Sequence, residues 1–289
     1  MNEQLARNSA PWPPTPLVLQ DVRGPSALGG GWRRSLELLH LMALMEFRRT
    51  YTNTVFGYVW SLCRPLLLFA VLLAVFTHIV HLSAGVPDYP VLLLMNIVLF
   101  GFFAESSSTA VGSVVGQEAV VRKTQFPRLV IPLAVVVTSL FNLGLNLIVT
   151  FVFILAYGVQ PLWTWLLLPV LVLWLLVITV PVAMILSALY PRFRDVAIIW
   201  AVLSTALFYA TPVIYTLNGK AVHGLIGKLV SLNPLTPLFE CARRWIITPD
   251  APVHGGPLPI AVPLVLTIAI GAYAVWMFNR EAPRIAEAL

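Results

Sequence analysis

The sequence predicts an all-helical integral membrane protein with six membrane-spanning helices. Two properties of the composition support this prediction: 59% of the 289 residues are hydrophobic, and only 10% are charged. Soluble domains carry about 25% charged residues. A chain this apolar, with a mean hydropathy of +0.87, is therefore expected in lipid. The third observation is that the apolar residues fall in long runs, each sufficient for a bilayer crossing of about 20 residues.

Six apolar runs are long enough to cross a bilayer. Their predicted bounds are 61–82, 90–113, 129–157, 162–190, 196–217 and 258–278. The third and fourth runs are the longest, so we expect them to tilt or to extend into the cytoplasm. Before the last run, residues 225–232 and 235–247 form two short apolar segments on either side of Asn233-Pro234. These segments predict a re-entrant helical hairpin at the outer interface, with a small surface domain as the alternative.

The sequence divides the rest of the chain into three parts. Residues 1–31, with four prolines between positions 11 and 16, indicate a flexible tail. Residues 32–49 predict an amphipathic helix lying on the membrane surface, and a plain helical lead-in to the first span is the alternative. Residues 50–280 then form the transmembrane domain, and residues 281–289 form a C-terminal tail.

The distribution of basic residues predicts the orientation in the membrane. With the N-terminus inside, 14 of the 18 Lys and Arg residues lie on the cytoplasmic side. The opposite orientation inverts that ratio and breaks the tendency of positive loops to remain inside. Both termini are therefore predicted to be cytoplasmic. The net charge of +6 suits loops near anionic lipid. No basic stretch is interleaved with exposed aromatic residues, so nucleic acid is not an expected partner.

A polar segment, residues 117–132, interrupts the apolar runs after the second span. Its charged and helix-ending residues are Glu118, Arg122, Lys123, Phe126, Pro127 and Arg128. The three cations place it in the cytoplasm. An amphipathic helix ended by Phe-Pro at this position is a surface that a soluble partner could grip.

The sequence contains no signature of catalysis or of cofactor binding. The nucleotide-binding pattern GxxxxGK[ST] does not occur, so hydrolysis of ATP by this chain is not expected. The five histidines are scattered, without the spacing of paired metal ligands. We therefore expect a chain that binds no metal or cofactor of its own.

Glu105 is the residue of the apolar runs whose transfer into lipid costs the most free energy. An ionisable side chain at bilayer depth therefore normally faces a bundle interior or an aqueous path. A structural carboxyl bonded to neighbouring hydroxyl groups is the equal alternative. Aromatic rings near it could guide sugars, since they offer contact without strong directional trapping, although a membrane-interface belt and helix packing explain any single ring as well. The candidate path residues are Tyr58, Trp60, Phe102, Phe103, Glu105, Phe208, Tyr209 and Tyr215.

Several segments resemble the permeases of type-2 ABC exporters for polysaccharides, a group that includes O-antigen, teichoic-acid and mycobacterial galactan exporters. The first is RRTYTNTVFGYVWSLCRPLLL at residues 48–68, which resembles the start of that family's first span. Residues 101–128 resemble its second span and coupling helix, with RKTQFPR at the end. YPRFRDV, TPVIY and LNPLTPLFECAR follow in family order, so the resemblance covers most of the membrane region.

The resemblance implies a homodimer of six-span subunits in a bacterial plasma membrane, with two separate ATP-binding subunits docked underneath. ATP and Mg would be bound by those subunits, and a lipid-linked glycan would cross between the permeases. On this basis residues 118–128 would couple ATPase closure to the spans. Arg192, Arg194 and Asp195 would add a second cytoplasmic contact, or else form a local surface ion pair.

Two other functions remain open from the sequence. An ABC exporter of small lipophilic molecules or drugs would share the architecture and would differ in pore width and lining. A membrane-embedded enzyme acting on lipid-linked sugars would need a general base or a metal near the interface, and the sequence shows no convergent carboxylates.

Overall fold

The computed structural model describes residues 32–51, 57–79, 86, 88–118, 128–217, 224–249 and 258–288. Every regular element in these ranges is a helix, and no strand occurs in them. This confirms the predicted all-helical class. The predicted tail 1–31 and most of the polar segment 117–132 lie outside the described residues.

Nine α-helices occur in the described ranges, and we number them in chain order. They are α1 (Trp32–Tyr51), α2 (Gly57–Ala74), α3 (Tyr89–Gly116), α4 (Val130–Ala156), α5 (Leu168–Leu189), α6 (Val196–Ala210), α7 (Gly224–Ser231), α8 (Thr236–Ala242) and α9 (Leu258–Ala288). Short segments of other helical pitch adjoin three of them: Val75–Ile79 after α2, Trp163–Leu167 before α5 and Arg243–Ile247 after α8.

Five helices in the described residues are long and apolar enough to cross a membrane. They are Val59–Ile79, Tyr89–Gly116, Val130–Ala156, Trp163–Leu189 and Pro259–Glu281. These five agree with the first four predicted spans and with the last one. The predicted span 196–217 is not one continuous helix, because α6 ends at Ala210 after 15 residues.

The early end of α6 has a local cause. Thr211 has φ −103° and ψ 144°, an extended conformation. The ring of Pro212 disfavours the helical region for the residue before it, and proline has no N–H to continue the helix. Hydrophobicity alone therefore predicted too long a helix, because it does not register the Thr-Pro break.

Helix α3 is the centre of the fold. Eighteen of its 28 residues are buried, because α2, α4, α5 and α6 all pack against it. The first part of α3 is apolar on every side, a pattern typical of a helix that is surrounded by other helices or by lipid. The run from Val91 to Phe100 is apolar except at Asn96, and it supplies much of the main hydrophobic cluster.

Two smaller clusters attach the outer helices. Helix α1 packs with Leu38, Leu39 and Met42 against a cluster formed by the end of α3 and the start of α4. Helices α5 and α9 share a cluster in which Met184 and Ala188 meet Ala274, Met277 and Phe278.

The bounds of the short helices α7 and α8 are close to those of the two segments predicted between residues 225 and 247. The break between the two helices lies at Asn233-Pro234. Asn233 stabilises that break by donating from Nδ2 to Thr211 Oγ1 at 3.0 Å and accepting from the backbone N–H of Leu235 at 3.0 Å. Trp165 Nε1 donates to the carbonyl of Ile246 at 2.9 Å. These bonds join α7 and α8 to the ends of α5 and α6.

Candidate functional site

The polar run Glu105–Thr109 is divided between two sides of α3. Ser106 and Ser107 are fully buried, whereas Glu105, Ser108 and Thr109 are exposed on the surface of the subunit. Helical periodicity produces this division, since residues three and four apart share a face. The result is a polar face on the central helix, which we call the α3 polar face and define by Glu105, Ser108 and Thr109.

Glu105 is held by the neighbouring helix α4. Asn142 is 3% exposed, and its Nδ2 donates to Oε1 of Glu105 at 2.8 Å. The positive charge of Arg64 on α2 also acts on this carboxylate. The carboxylate is therefore bonded to an amide of α4 and not to the neighbouring hydroxyls that the sequence suggested, and its residue is exposed on the subunit surface.

Asn142 belongs to a polar row that follows one side of α4. Asn146 donates from Nδ2 to the carbonyl of Asn142 at 2.9 Å, and Thr150 donates from Oγ1 to the carbonyl of Asn146 at 2.8 Å. Thr138, one turn before Asn142, donates to the carbonyl of Ala134 at 3.0 Å. The spacing of four residues keeps these side chains on one stripe, and the bonds satisfy polar groups within an otherwise apolar helix.

The buried side of the run joins α3 to α6. Trp200 Nε1 donates to Ser107 Oγ at 3.1 Å, and Ser107 Oγ donates in turn to the carbonyl of Phe103 at 2.6 Å. The Phe103 and Trp200 rings lie edge to face with centroids 6.1 Å apart. Phe100 and Phe208 make a second edge-to-face pair at 5.2 Å. Four aromatic rings therefore form the contact between the two helices.

The predicted path residues differ in their exposure to the surroundings of the subunit. Phe102 and Phe103 are 3% and 2% exposed, so in this structure they pack the subunit interior and a glycan cannot reach them without a change in helix packing. Trp60 and Tyr209 are exposed, and Phe208 is half-buried against the Tyr209 ring. The remaining two are Tyr215 and Tyr58.

Tyr215 is half-buried, and its hydroxyl donates to the carbonyl of Tyr209 at 3.1 Å. This bond ties the chain beyond α6 back to the last turn of that helix. Tyr58 lies in the first turn of α2, and its side chain is outside the described residues.

The structure describes the two ends of the polar segment 117–132. Glu118 is half-buried next to the end of α3. Arg128 is 9% exposed and lies just before α4. Burial lowers the pKa of the Arg128 guanidinium below its ordinary value, because the charged form loses hydration. Arg122, Lys123, Phe126 and Pro127 lie outside the described residues, so the predicted coupling surface stays a prediction.

The second predicted cytoplasmic contact is an exposed loop between α5 and α6. Arg192 lies over the Phe193 ring at 5.2 Å, and Arg194 lies over the Tyr190 ring at 5.1 Å. Asp195 is exposed, and within the described residues neither arginine forms an ion pair with it. The two cations are therefore held by aromatic faces and stay accessible.

Sequence reasoning missed the buried amides and the indole that organise the site. Asn96 donates from Nδ2 to the carbonyls of Pro212 and Val213, both at 3.1 Å, and the Tyr89 hydroxyl donates to the carbonyl of Ile214 at 2.8 Å. A signal was present, because a lone Asn in a long apolar run needs a partner inside the bundle. The partner could not be named, since it lies more than 100 residues away in the sequence.

No group of three or more His, Cys, Asp or Glu side chains comes together within the described ranges. This part of the chain therefore offers no cluster that could hold a metal. The polar groups that do converge are amides, hydroxyls and one carboxylate, a set suited to hydrogen bonding.

Comparison with known proteins identifies the class of this helical bundle. Residues 37–246 match the family model described as ABC-2 type transporter. The chain belongs to the ABC-2 type transporter family. The match begins within α1 and ends within the helical segment after α8, so it includes the α3 polar face. With five helices that could span a membrane, this ABC-2 transporter chain is a multi-pass membrane protein.

Three curated relatives are similar over most of the ABC-2 domain. An O-antigen export system permease protein RfbA from Myxococcus xanthus is 28% identical over 256 residues, which cover 87% of this chain and 95% of the relative. Two proteins of the same name from Klebsiella pneumoniae are 26% identical. Their matches cover 72% and 88% of this chain, and 79% and 95% of the relatives.

Proposed function

We propose that this chain is the permease subunit of an ABC transporter that exports a lipid-linked polysaccharide, driven by ATP hydrolysis on separate subunits. Membership of the ABC-2 family supports the transport role. The three relatives named O-antigen export permeases support a glycan substrate of the O-antigen, teichoic-acid or galactan type. Each match covers more than two thirds of both chains.

The observation that carries the proposal is the α3 polar face. Glu105, Ser108 and Thr109 are exposed on the surface of a subunit whose neighbouring helices are apolar. Polar and ionisable groups at membrane depth face a bundle interior or a water-filled path. A second copy of the chain placed against this side would enclose the two polar faces. We therefore propose a homodimer with the glycan path between the subunits.

The residues beside the polar face suit such a path. Arg64 and Trp60 on α2 and Tyr209 on α6 are exposed, and both helices pack against α3. Hydroxyls and a carboxylate can exchange hydrogen bonds with passing sugars, while the rings supply apolar contact. Phe102 and Phe103 would support this lining from behind.

In the proposed topology α6 and the residues after it form the sixth crossing. Fifteen helical residues extend roughly 22 Å, less than the hydrocarbon thickness of about 30 Å. Residues 211–217 would complete the distance, and the bonds from Asn96 and Tyr89 satisfy carbonyls in that irregular stretch. Irregular backbone at membrane depth is tolerated only when it is buried and bonded in this way.

Six crossings would put both termini on the same side of the membrane, and the distribution of basic residues favours the bacterial cytoplasm, with the transmembrane domain at residues 50–280. On this topology α7 and α8 form the re-entrant hairpin at the outer interface. Helix α1 then lies on the cytoplasmic membrane surface, and the residues after 280 form the C-terminal tail.

The polar segment couples the permease to its ATPase in this proposal. Residues 118–128, with Arg122, Lys123 and Arg128, would fit a cleft on each of two ATP-binding subunits, which bind ATP and Mg. The exposed loop with Arg192, Arg194 and Asp195 would make the second contact. The chain itself supplies no nucleotide-binding motif.

Co-purification tests whether the permease binds a separate ATP-binding subunit through the polar segment. The double charge reversal R122E/K123E is expected to abolish capture of the ATP-binding subunit that is co-expressed with the permease. The matched control K228E/R244E reverses two charges on the proposed outer side and should leave capture unchanged. Equal capture by all three proteins, or ATP-dependent glycan export by the permease alone, contradicts the proposal.

Depletion of the permease tests the substrate. Lipid-linked glycan should accumulate inside the cells while surface glycan falls. Unchanged glycan together with loss of drug efflux would instead favour an exporter of small lipophilic molecules.

A further inference from the structure

A cleft lies between the first part of α3, the irregular stretch after α6, and α8. It encloses about 250 Å³ together with its open mouth. Its lining combines apolar side chains with polar and charged ones, and includes Leu92, Asn96, Tyr215, Phe239, Glu240 and Arg243. Asn96 shares a face of α3 with Phe103, seven residues further on, which packs against α6. The cleft is therefore separate from the α3 polar face.

The inner wall of the cleft contains a buried acceptor. Asn96 is 1% exposed, and its Nδ2 atom donates to the carbonyls of Pro212 and Val213. Its Oδ1 atom is buried and receives no hydrogen bond in the described part of the chain. Because a buried acceptor without a donor is unfavourable, a small donor that enters the cleft is expected to bind to this oxygen.

Glu240 and Arg243 supply the charged part of the lining, and both side chains are half-buried. Burial lowers the pKa of the Arg243 guanidinium, and the Glu240 carboxylate acts on it in the opposite direction. The two charges are therefore close enough to interact, and together they give the cleft no net charge. A hydroxyl group suits such a pair, because it can donate to the carboxylate and accept from the guanidinium.

We propose that this cleft binds a neutral sugar residue of the glycan at the outer face of the permease. One hydroxyl would donate to Asn96 Oδ1, and a second would bind the Glu240–Arg243 pair. Tyr215 and the buried Leu92 and Phe239 supply the apolar contact that a sugar ring also needs. This inference rests on the proposed function, which provides both the substrate and the outward position of α8.

Binding in this cleft is expected to be weak, because a substrate in transit must also leave. The Tyr215 hydroxyl donates to the carbonyl of Tyr209 at 3.1 Å, so the cleft adjoins the last turn of α6. Water is the competing occupant, since ordered water commonly satisfies buried polar groups. The test therefore compares a sugar with no added ligand, and with ligands of different chemistry.

Saturation-transfer NMR on the permease in lipid nanodiscs, without the ATP-binding subunit, tests the proposal. The probe is the oligosaccharide that mild acid releases from the lipid-linked glycan of permease-depleted cells. Wild type should transfer saturation to this probe. Arg243→Ala should weaken binding by about tenfold, because it removes a charged hydrogen-bonding group. The matched control is Arg244→Ala, since Arg244 is the next residue, is exposed and is not among the residues that line the cleft.

Glu240→Gln provides a second readout and carries the test if Arg243→Ala does not fold. It leaves the cleft with a net positive charge, so it should bind the neutral probe several-fold more weakly and should gain binding of glucuronate. A purely structural role for the pair would not produce that gain. Equal effects of R243A and R244A, or binding of cyclohexylmethanol as strong as that of the sugar, would overturn the proposal.

The two levels of the proposal fail in different ways. If no lipid-linked glycan accumulates on depletion, the proposed function falls and this inference falls with it. If glycan accumulates but its oligosaccharide does not bind wild type, only the sugar site is overturned, and the cleft holds water alone.

Discussion

Asn142 holds the Glu105 carboxylate from the neighbouring helix, with its Nδ2 donating to Oε1 at 2.8 Å. This single bond joins the ionisable side chain of the second apolar run to a buried amide that could not be singled out from the sequence. Because Asn142 is buried and Glu105 is exposed, the bond links an exposed carboxylate on the central helix to the interior of the subunit.

Replacing Asn142 by Leu tests how much of the structure this bond supports. The variant should lower the free energy of unfolding by about 1 kcal/mol, the range measured for polar contacts between membrane helices. Thermal unfolding of the purified permease in detergent measures it. Glu105→Gln retains an oxygen that can accept from Asn142 and should unfold close to wild type. Destabilisation of Glu105→Gln together with a wild-type midpoint for Asn142→Leu would show that the charge, and not the hydrogen bond, matters for folding.

A bulky residue on the α3 polar face should block export without harming the fold. Ser108 is exposed, so Ser108→Trp should fold normally and leave lipid-linked glycan inside the cell. Surface glycan, measured at equal permease abundance, should fall to the level of cells without permease. The matched control is Ile268→Trp, an equally large change at an exposed position of α9. Normal export by Ser108→Trp would remove this face from the glycan path.

The turn after α4 predicts a specific glycine requirement. Gly158 has φ +93°, and the backbone bonds from Gly158 to Leu155 at 3.1 Å and from Val159 to Ile154 at 3.3 Å close a Schellman motif. A side chain costs about 1 kcal/mol in this left-handed conformation, so Gly158→Ala should lower stability by that amount. Gly144→Ala, inside α4 with no heavy atom within 4 Å of the added methyl group, should be neutral or slightly stabilising in detergent.

The irregular stretch after α6 depends on Asn96. Replacing Asn96 by Leu leaves the carbonyls of Pro212 and Val213 without their donor, at an expected loss of about 2 kcal/mol. Asn96→Asp should be worse, by about 3–5 kcal/mol, because a buried carboxylate would then face two carbonyl oxygens. Ser113→Ala removes only a local bond to Ala110 and should stay within about 0.5 kcal/mol of wild type. Unfolding midpoints that do not separate Asn96→Leu from Ser113→Ala would contradict this role.

The five membrane spans could be predicted from the sequence, because they depend on the average composition of about 20 consecutive residues. The break at Asn233-Pro234 was visible instead as a turn dipeptide between two short apolar segments. The Thr211-Pro212 end of α6 was missed, since a hydropathy window averages over one local break. The sequence could not show that Phe102 and Phe103 are buried whereas Glu105 is exposed, because the exposed side of the central helix depends on which neighbours cover the rest.

Trp200 and Ser107 offer a direct measurement of the contact between α3 and α6. Trp200→Phe keeps the aromatic packing and removes the Nε1 donor, while Ser107→Ala removes the acceptor. If the 3.1 Å bond stabilises the subunit, the double variant should lose less than the sum of the two single losses, with a coupling of about 0.5–1.5 kcal/mol. Trp276→Phe combined with Ser107→Ala is the control pair, since Trp276 is exposed on α9 and does not contact Ser107. That pair should be additive within about 0.5 kcal/mol. Full additivity for Trp200 and Ser107 would mean that the aromatic rings alone hold α6 against the central helix.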